Sequence, residues 1–127
     1  KLMAKSMAEI MGAAVVVGFS PRDVYYTGLS YVFAQPEFLE LPRVQRLSVL
    51  MDRIDEVVED VFARVPAHDA QILLGRENPF GRECGLIVIR FHTRHQHGVL
   101  GFVGPMRMDY ERGIGLVEYA QEVLRKF

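Results

Sequence analysis

The chain has 127 residues and a mass of 14.5 kDa, which fits one domain spanning 1–127 around a single core and leaves little room for a second. Half of the residues are hydrophobic and 24% are charged, the composition of a folded domain of roughly 14 Å radius of gyration and not of a disordered tail. Fifteen Lys and Arg against sixteen Asp and Glu give a net charge of -1. No basic excess is available to neutralise a run of phosphates, so this piece is not expected to bind DNA unaided.

The single cysteine, Cys84, cannot form an internal disulfide and fits a reducing compartment. No apolar run reaches membrane-spanning length, and no charged start with a cleavage site marks a signal peptide. The expectation is a soluble cytoplasmic protein with no membrane partner. Because the first residue is Lys1 and not Met, the chain is also expected to be a portion of something longer.

In chain order, Leu2, Met3, Met7, Ile10 and Met11 recur at helical steps and predict an amphipathic helix that Gly12 terminates. The β-branched run Ala13 to Phe19 predicts a strand buried on both faces and central in its sheet. Ser20-Pro21-Arg22-Asp23 reads as a turn and Val24 to Thr27 as a second strand, which together make a hairpin. A short helix follows Gly28, from Leu29 to Ala34, and ends near Gln35-Pro36.

Pro42 suits the first turn of a long helix. Within it Val44, Leu47, Met51, Ile54, Val58, Val61 and Val65 follow alternating steps of three and four, a heptad seam. One reading packs that helix across the domain's own sheet; the other makes it a homodimer helix, and Leu50, Val57 and Phe62 widen the stripe so that both uses can share it. Gln71 to Leu74 is a short strand, 75–81 a loop, and Cys84 to Phe91 and Val99 to Val103 two adjacent strands expected to pair antiparallel. Asp109 is the expected N-cap of a last helix bearing Tyr110, Ile114, Val117, Leu124 and Phe127 on one face, weakened locally by Gly113 and Gly115. The order α-β-β-α-α-β-β-β-α argues an α+β domain with helices against an antiparallel sheet.

Few constellations carry chemistry. His92, His95 and His97 fall within six residues and could ligate a transition metal, but the only nearby thiol is Cys84 and a solvated hairpin tip is the preferred reading. Cys84 is expected to be a buried small hydrophobe and not a nucleophile, and no metal, cofactor or catalytic residue is assigned. Gly98-x-x-Gly101-x-x-Gly104 has neither dinucleotide nor P-loop spacing and is expected to allow close backbone approach. Arg107 beside the start of the last helix could hold an anion or effector. A pairing of Arg107 with Asp109 or Glu111, or a subunit contact, is preferred.

Three segments resemble the C-terminal part of the bacterial heat-inducible transcription repressor HrcA family. Gly98 to Tyr110, with its Gly-Pro-Met-Arg-Met-Asp-Tyr end, is similar to the family's glycine-rich strand and Gly-Pro-Thr-Arg-Met-Asp-Tyr. Tyr26-Thr27-Gly28-Leu29-Ser30 running to Gln35-Pro36-Glu37-Phe38 is similar to its Gly-Leu-Ser … Gln-Pro-Glu-Phe stretch, and Gly75-Arg76-Glu77-Asn78 to its Gly-x-Glu-Asn turn. The resemblance implies a GAF-like antiparallel sheet flanked by helices. It further implies a dimeric repressor of chaperone and chaperonin genes that reads an inverted-repeat operator through a winged helix and is supported by the chaperonin. Residues 1–127 hold no segment similar to the family's winged helix, only Ser20 to Asp23 stands where the family has a long dimerisation insertion, and Met106 replaces the usual Thr. The chain is therefore expected to be the regulatory and dimerisation domain, with a free-standing small-molecule sensor as the alternative.

Overall fold

A computed structural model describes residues 2–20, 23–33, 69–74, 84–105 and 107–127, together with the separate positions Gln45, Asp52, Glu56, Glu59, Asp60 and Ala63. Helix α1 (Leu2–Met11) leads into strands β1 (Ala14–Ser20) and β2 (Asp23–Thr27), then helix α2 (Leu29–Phe33). Strands β3 (Gln71–Leu74), β4 (Cys84–His92) and β5 (His97–Pro105) and helix α3 (Tyr110–Leu124) complete the described elements. The strands form one sheet in the order β2-β1-β5-β4-β3, and every neighbouring pair is antiparallel. This is the α+β sheet flanked by helices that the sequence implies.

Alternation along the strands divides the sheet into two faces. On one, Val15, Ile87, Ile89, Phe91, Leu100 and Phe102 pack with Ala4, Met7 and Ala8 of α1 and with Val117 and Ala120 of α3. On the other, Ala14, Val16, Leu86, Val88, Val99 and Val103 are buried as well. Burial on both sides explains why β1, β4 and β5 read as nearly unbroken apolar runs and not as alternating ones. Each large side chain withdrawn from water contributes about 1.5–3 kcal/mol before conformational entropy is set against it, so the three inner strands supply most of the cohesion.

Two expectations about strands are corrected. β1 lies second from an edge, and β5 takes the central position. β5 also runs over nine residues and not five, because antiparallel partners on both sides, β1 and β4, hold its glycines in the ladder despite their weak strand propensity. The β1–β2 hairpin closes directly, with Ser20 paired to Asp23 and a register shift between Gly18 and Ser20. No long insertion separates them.

Two glycines use left-handed backbone. Gly12, at φ +63°, ends α1 by donating its N–H to Ala8 O at 2.8 Å, as a helix C-cap requires. Gly28, at φ +86°, turns β2 into α2 against α1: a Cβ there would lie 2.8 Å from both Ala13 O and the Ala8 Cβ. At the other end Asp109 caps α3 by accepting from the Arg112 N–H at 3.2 Å. The face α3 buries carries Gly113, Val117, Ala120 and Gln121. Tyr110, Ile114 and Leu124 are half-buried, whereas Phe127 is 69% exposed. It falls beyond the α-helix, where Lys126 and Phe127 bond back three residues and not four, so the helical phase no longer carries it inward.

Candidate functional site

The heptad seam Val44, Leu47, Met51, Ile54, Val58 and Val61 lies outside the described residues, as do Val65, the 75–81 loop, Met106 and the Cys84 side chain. The intervening positions Gln45, Asp52, Glu56, Glu59 and Ala63 are helical and exposed, and Asp60 is helical and half-buried.

Two recesses are open to solvent among the described residues. The first is a cleft of about 350 Å³ between α1 and the sheet. Met3, Ala4 and Met7 of α1 form one wall, Val17, Phe19, Tyr25, Phe91 and Leu100 the sheet side, and Leu124 the end contributed by α3. Asp23, an exposed residue, also borders the cleft. Phe19 and Phe91 meet edge to face, with ring centroids 5.6 Å apart and planes at 85°, a favoured aromatic geometry. Such a cleft can take up a compact, largely apolar molecule.

The second recess, about 250 Å³, sits where the β4–β5 hairpin meets the end of α3 and is lined by Arg90, Phe91, His92, His97, Gly98, Gln121 and Arg125. His92 and His97 are directly opposed across the strands, with ring centroids 5.9 Å apart. His95 stands apart in the four-residue tip. That tip is organised by Thr93, whose N–H donates to Gln96 O at 2.8 Å and whose hydroxyl accepts from Gln96 N at 3.1 Å. The strands thus oppose His92 and His97 while His95 lies in the tip, and among the described residues no group of three or more His, Cys, Asp or Glu is placed to hold a metal ion.

Gln121 is the most buried polar side chain described, at 8% exposure, and it donates from Nε2 to Arg90 O at 2.7 Å. This bond ties the last turn of α3 to β4. Nothing in the sequence marks Gln121, since a polar residue in a helix ordinarily reads as solvent-facing. Arg125 pairs with Glu122 at 3.0 Å in an exposed contact.

Arg107 and Asp109 are both exposed. The ion pair of Asp109 runs to Arg112 Nε at 3.7 Å, so its carboxylate serves α3 itself as cap and counter-charge. Tyr110 reaches back over β4, where its hydroxyl would meet any Cβ at Gly85. Burial raises its phenol above the usual 10.0, partly offset by a backbone hydrogen bond with Met108.

A family model described as the HrcA protein C terminal domain matches residues 1–114. The heat-inducible transcription repressor HrcA of Chlorobium luteolum is 31% identical over 111 residues, covering 80% of this chain and 31% of that protein. Its counterpart from Moorella thermoacetica is 30% identical over 108 residues, covering 83% and 31%. That of Listeria welshimeri is 31% identical over 102 residues, covering 78% and 29%. The chain thus spans about a third of the length of the curated relatives it matches. A crystal structure described as that of a hypothetical protein shares the fold, with a TM-score of 0.62 at 15% identity over 82% of this chain and 32% of that one.

Proposed function

The chain belongs to the HrcA family, whose C-terminal domain it matches, and on that footing we propose that it is the regulatory and dimerisation domain of a heat-inducible transcription repressor. The match over residues 1–114 carries this reading. A net charge of -1 agrees with it, because duplex affinity depends on neutralising phosphates. DNA reading is assigned to the part of the relatives that this chain does not match, which would place a winged helix on each operator half-site. This domain would fix the spacing and stability of the pair.

In this reading the seam from Val44 to Val61 is the dimer helix, and exposed Arg107 and Asp109 are a subunit or effector contact. The chaperonin is a partner that supports the active state, the compartment is the cytoplasm, and no catalysis is assigned. No helix among the described residues is long and apolar enough to cross a membrane. Heating acts through loss of the fold, since a dimer on DNA is stabilised only while its folded form persists.

The test is a chimera in which this chain replaces the matching third of the Chlorobium luteolum repressor. The chimera is expected to be dimeric by light scattering and to bind an operator at least tenfold more tightly than the same repressor with that third deleted. It should also lose binding at the temperature where this domain melts. A chimera no better than the deletion overturns the proposal. The cleft under α1 favours a second reading, a small-molecule sensor, which a ligand-dependent rise in Tm across a metabolite panel would support.

A further inference from the structure

We propose that the cleft between α1 and the sheet binds a small, uncharged aromatic molecule of about two fused rings, of which indole is the simplest probe. The inference names a ligand class for the small-molecule sensor reading and rests on that reading, not on the match to the repressor family.

The cleft interrupts close packing. Protein interiors leave few voids larger than a water molecule, and the deepest residues around it keep to this: Ala4, Met7, Phe91 and Leu100 are each at most 5% exposed. Met3, Val17, Phe19, Tyr25 and Leu124 pack against the same core but are only half-buried, and all five border the cleft. Val17 and its register partner Tyr25 lie on the α1 side of the sheet, with Val15. Five half-buried side chains thus share one concave, largely apolar surface, the kind that small molecules cover.

Size and lining select the class. An apolar cavity of about 150 Å³ accommodates one benzene ring, so about 350 Å³ suits two. One wall carries Met3 and Met7, and the other Phe19, Tyr25 and Phe91. Thioethers facing rings favour a flat π-system between them, through sulfur–aromatic and edge-to-face contacts. Phe19 and Phe91 already meet in that second way, at 85°. Charge sets apolar acids aside. Among the described residues bordering the cleft none is Lys, Arg or His, and the one charged residue is Asp23. The carboxylate of a fatty acid or an aromatic acid would therefore enter beside like charge and lose its water without a cationic partner.

The test follows methionine ε-methyl signals of the 127-residue chain during titration with indole, with octanoate as a second arm. Met3 and Met7 border the cleft, whereas Met108 lies against Gly85 and Gly104 and serves as internal control. Indole is expected to give saturable upfield ring-current shifts at Met3 and Met7 and none at Met108, with octanoate at least tenfold weaker. Two substitutions that fill the cleft from different walls, Leu124→Trp and Val17→Phe, should each lower the indole affinity at least tenfold. An unchanged Met108 signal and a cooperative thermal transition show which of them are folded. Absence of saturation, an equal response at Met108, or undiminished affinity in a folded variant overturns the site. Octanoate binding as tightly as indole overturns the uncharged aromatic class and leaves the sensor reading in place, whereas silence of Met3 and Met7 toward every member of the metabolite panel removes both. Shifts at Met3 and Met7 that grow with protein concentration in the absence of ligand also overturn the proposal, because they assign the cleft to a second copy of the chain.

Discussion

The two recesses lie back to back on one side chain, Phe91, which lines both the apolar cleft and the hollow where the β4–β5 hairpin meets α3. The cleft is shaped by residues from α1, α3 and four strands, so its walls come from the hydrophobic core itself. The second recess is shaped by a hairpin and one helix end, where His92, His97 and Arg125 are exposed and Arg90 is half-buried. Substitutions around the cleft are therefore expected to register strongly as stability, whereas those around the hollow should register as smaller changes in stability.

Phe91→Ala breaks the comparison outright by removing the shared wall. Phe91 is 3% exposed, so its loss should cost about 3–5 kcal/mol, read as a large drop in the urea midpoint. Gly98→Ala acts from the hollow's side. Its methyl would press on the Phe91 ring and the Gly18 carbonyl, and a cost of about 1–3 kcal/mol is expected, with ring-current shifts at Phe19 reporting the displaced Phe91. Gln121→Ala loosens the hollow and leaves the cleft's walls in place. Losing the part-buried bond to the Arg90 carbonyl should cost about 1–2 kcal/mol, with faster amide exchange in the last turn of α3. Arg125→Gln is the smallest: the pair with Glu122 is exposed, at 43% and 64%, so thermal unfolding should change by less than about 0.5 kcal/mol.

The sequence made the core strands readable because β-branched runs such as Ala14 to Val17 leave few alternatives to a buried strand. It understated β5 because Gly98, Gly101 and Gly104 lower strand propensity, and what retains them is invisible in one dimension. A Cβ at Gly101 would sit 2.9 Å from Ile87 O and one at Gly104 2.8 Å from Met108 Sδ. Helix α3 shows the same limit. Gly113 and Gly115 look alike as helix weakeners, yet a Cβ at Gly113 would collide with Ile87 while one at Gly115 meets nothing within 4 Å. Calorimetry should separate them: Gly113→Ala destabilises by about 1–3 kcal/mol, and Gly115→Ala stabilises by about 1 kcal/mol.

The hollow was only half legible. Spacing grouped three histidines, but the strands oppose only His92 and His97, and Gln121 and Arg125 arrive from a helix that no local pattern connects to the hairpin. The short β1–β2 turn, by contrast, was plain from Ser20 to Asp23, because a turn is a local matter.

The strand order has a consequence for synthesis. β1 pairs on one side with the strand that follows it at once and on the other with β5, where Ala14 meets Val103, a partner translated about ninety residues later. At roughly 5–20 residues per second, a growing chain carries one unpaired, largely apolar edge for on the order of ten seconds. Loop closure over that span is entropically costly and slows the central pairing further. During that interval the nascent domain presents the kind of surface that folding helpers bind, and its own completion depends on how quickly they let go.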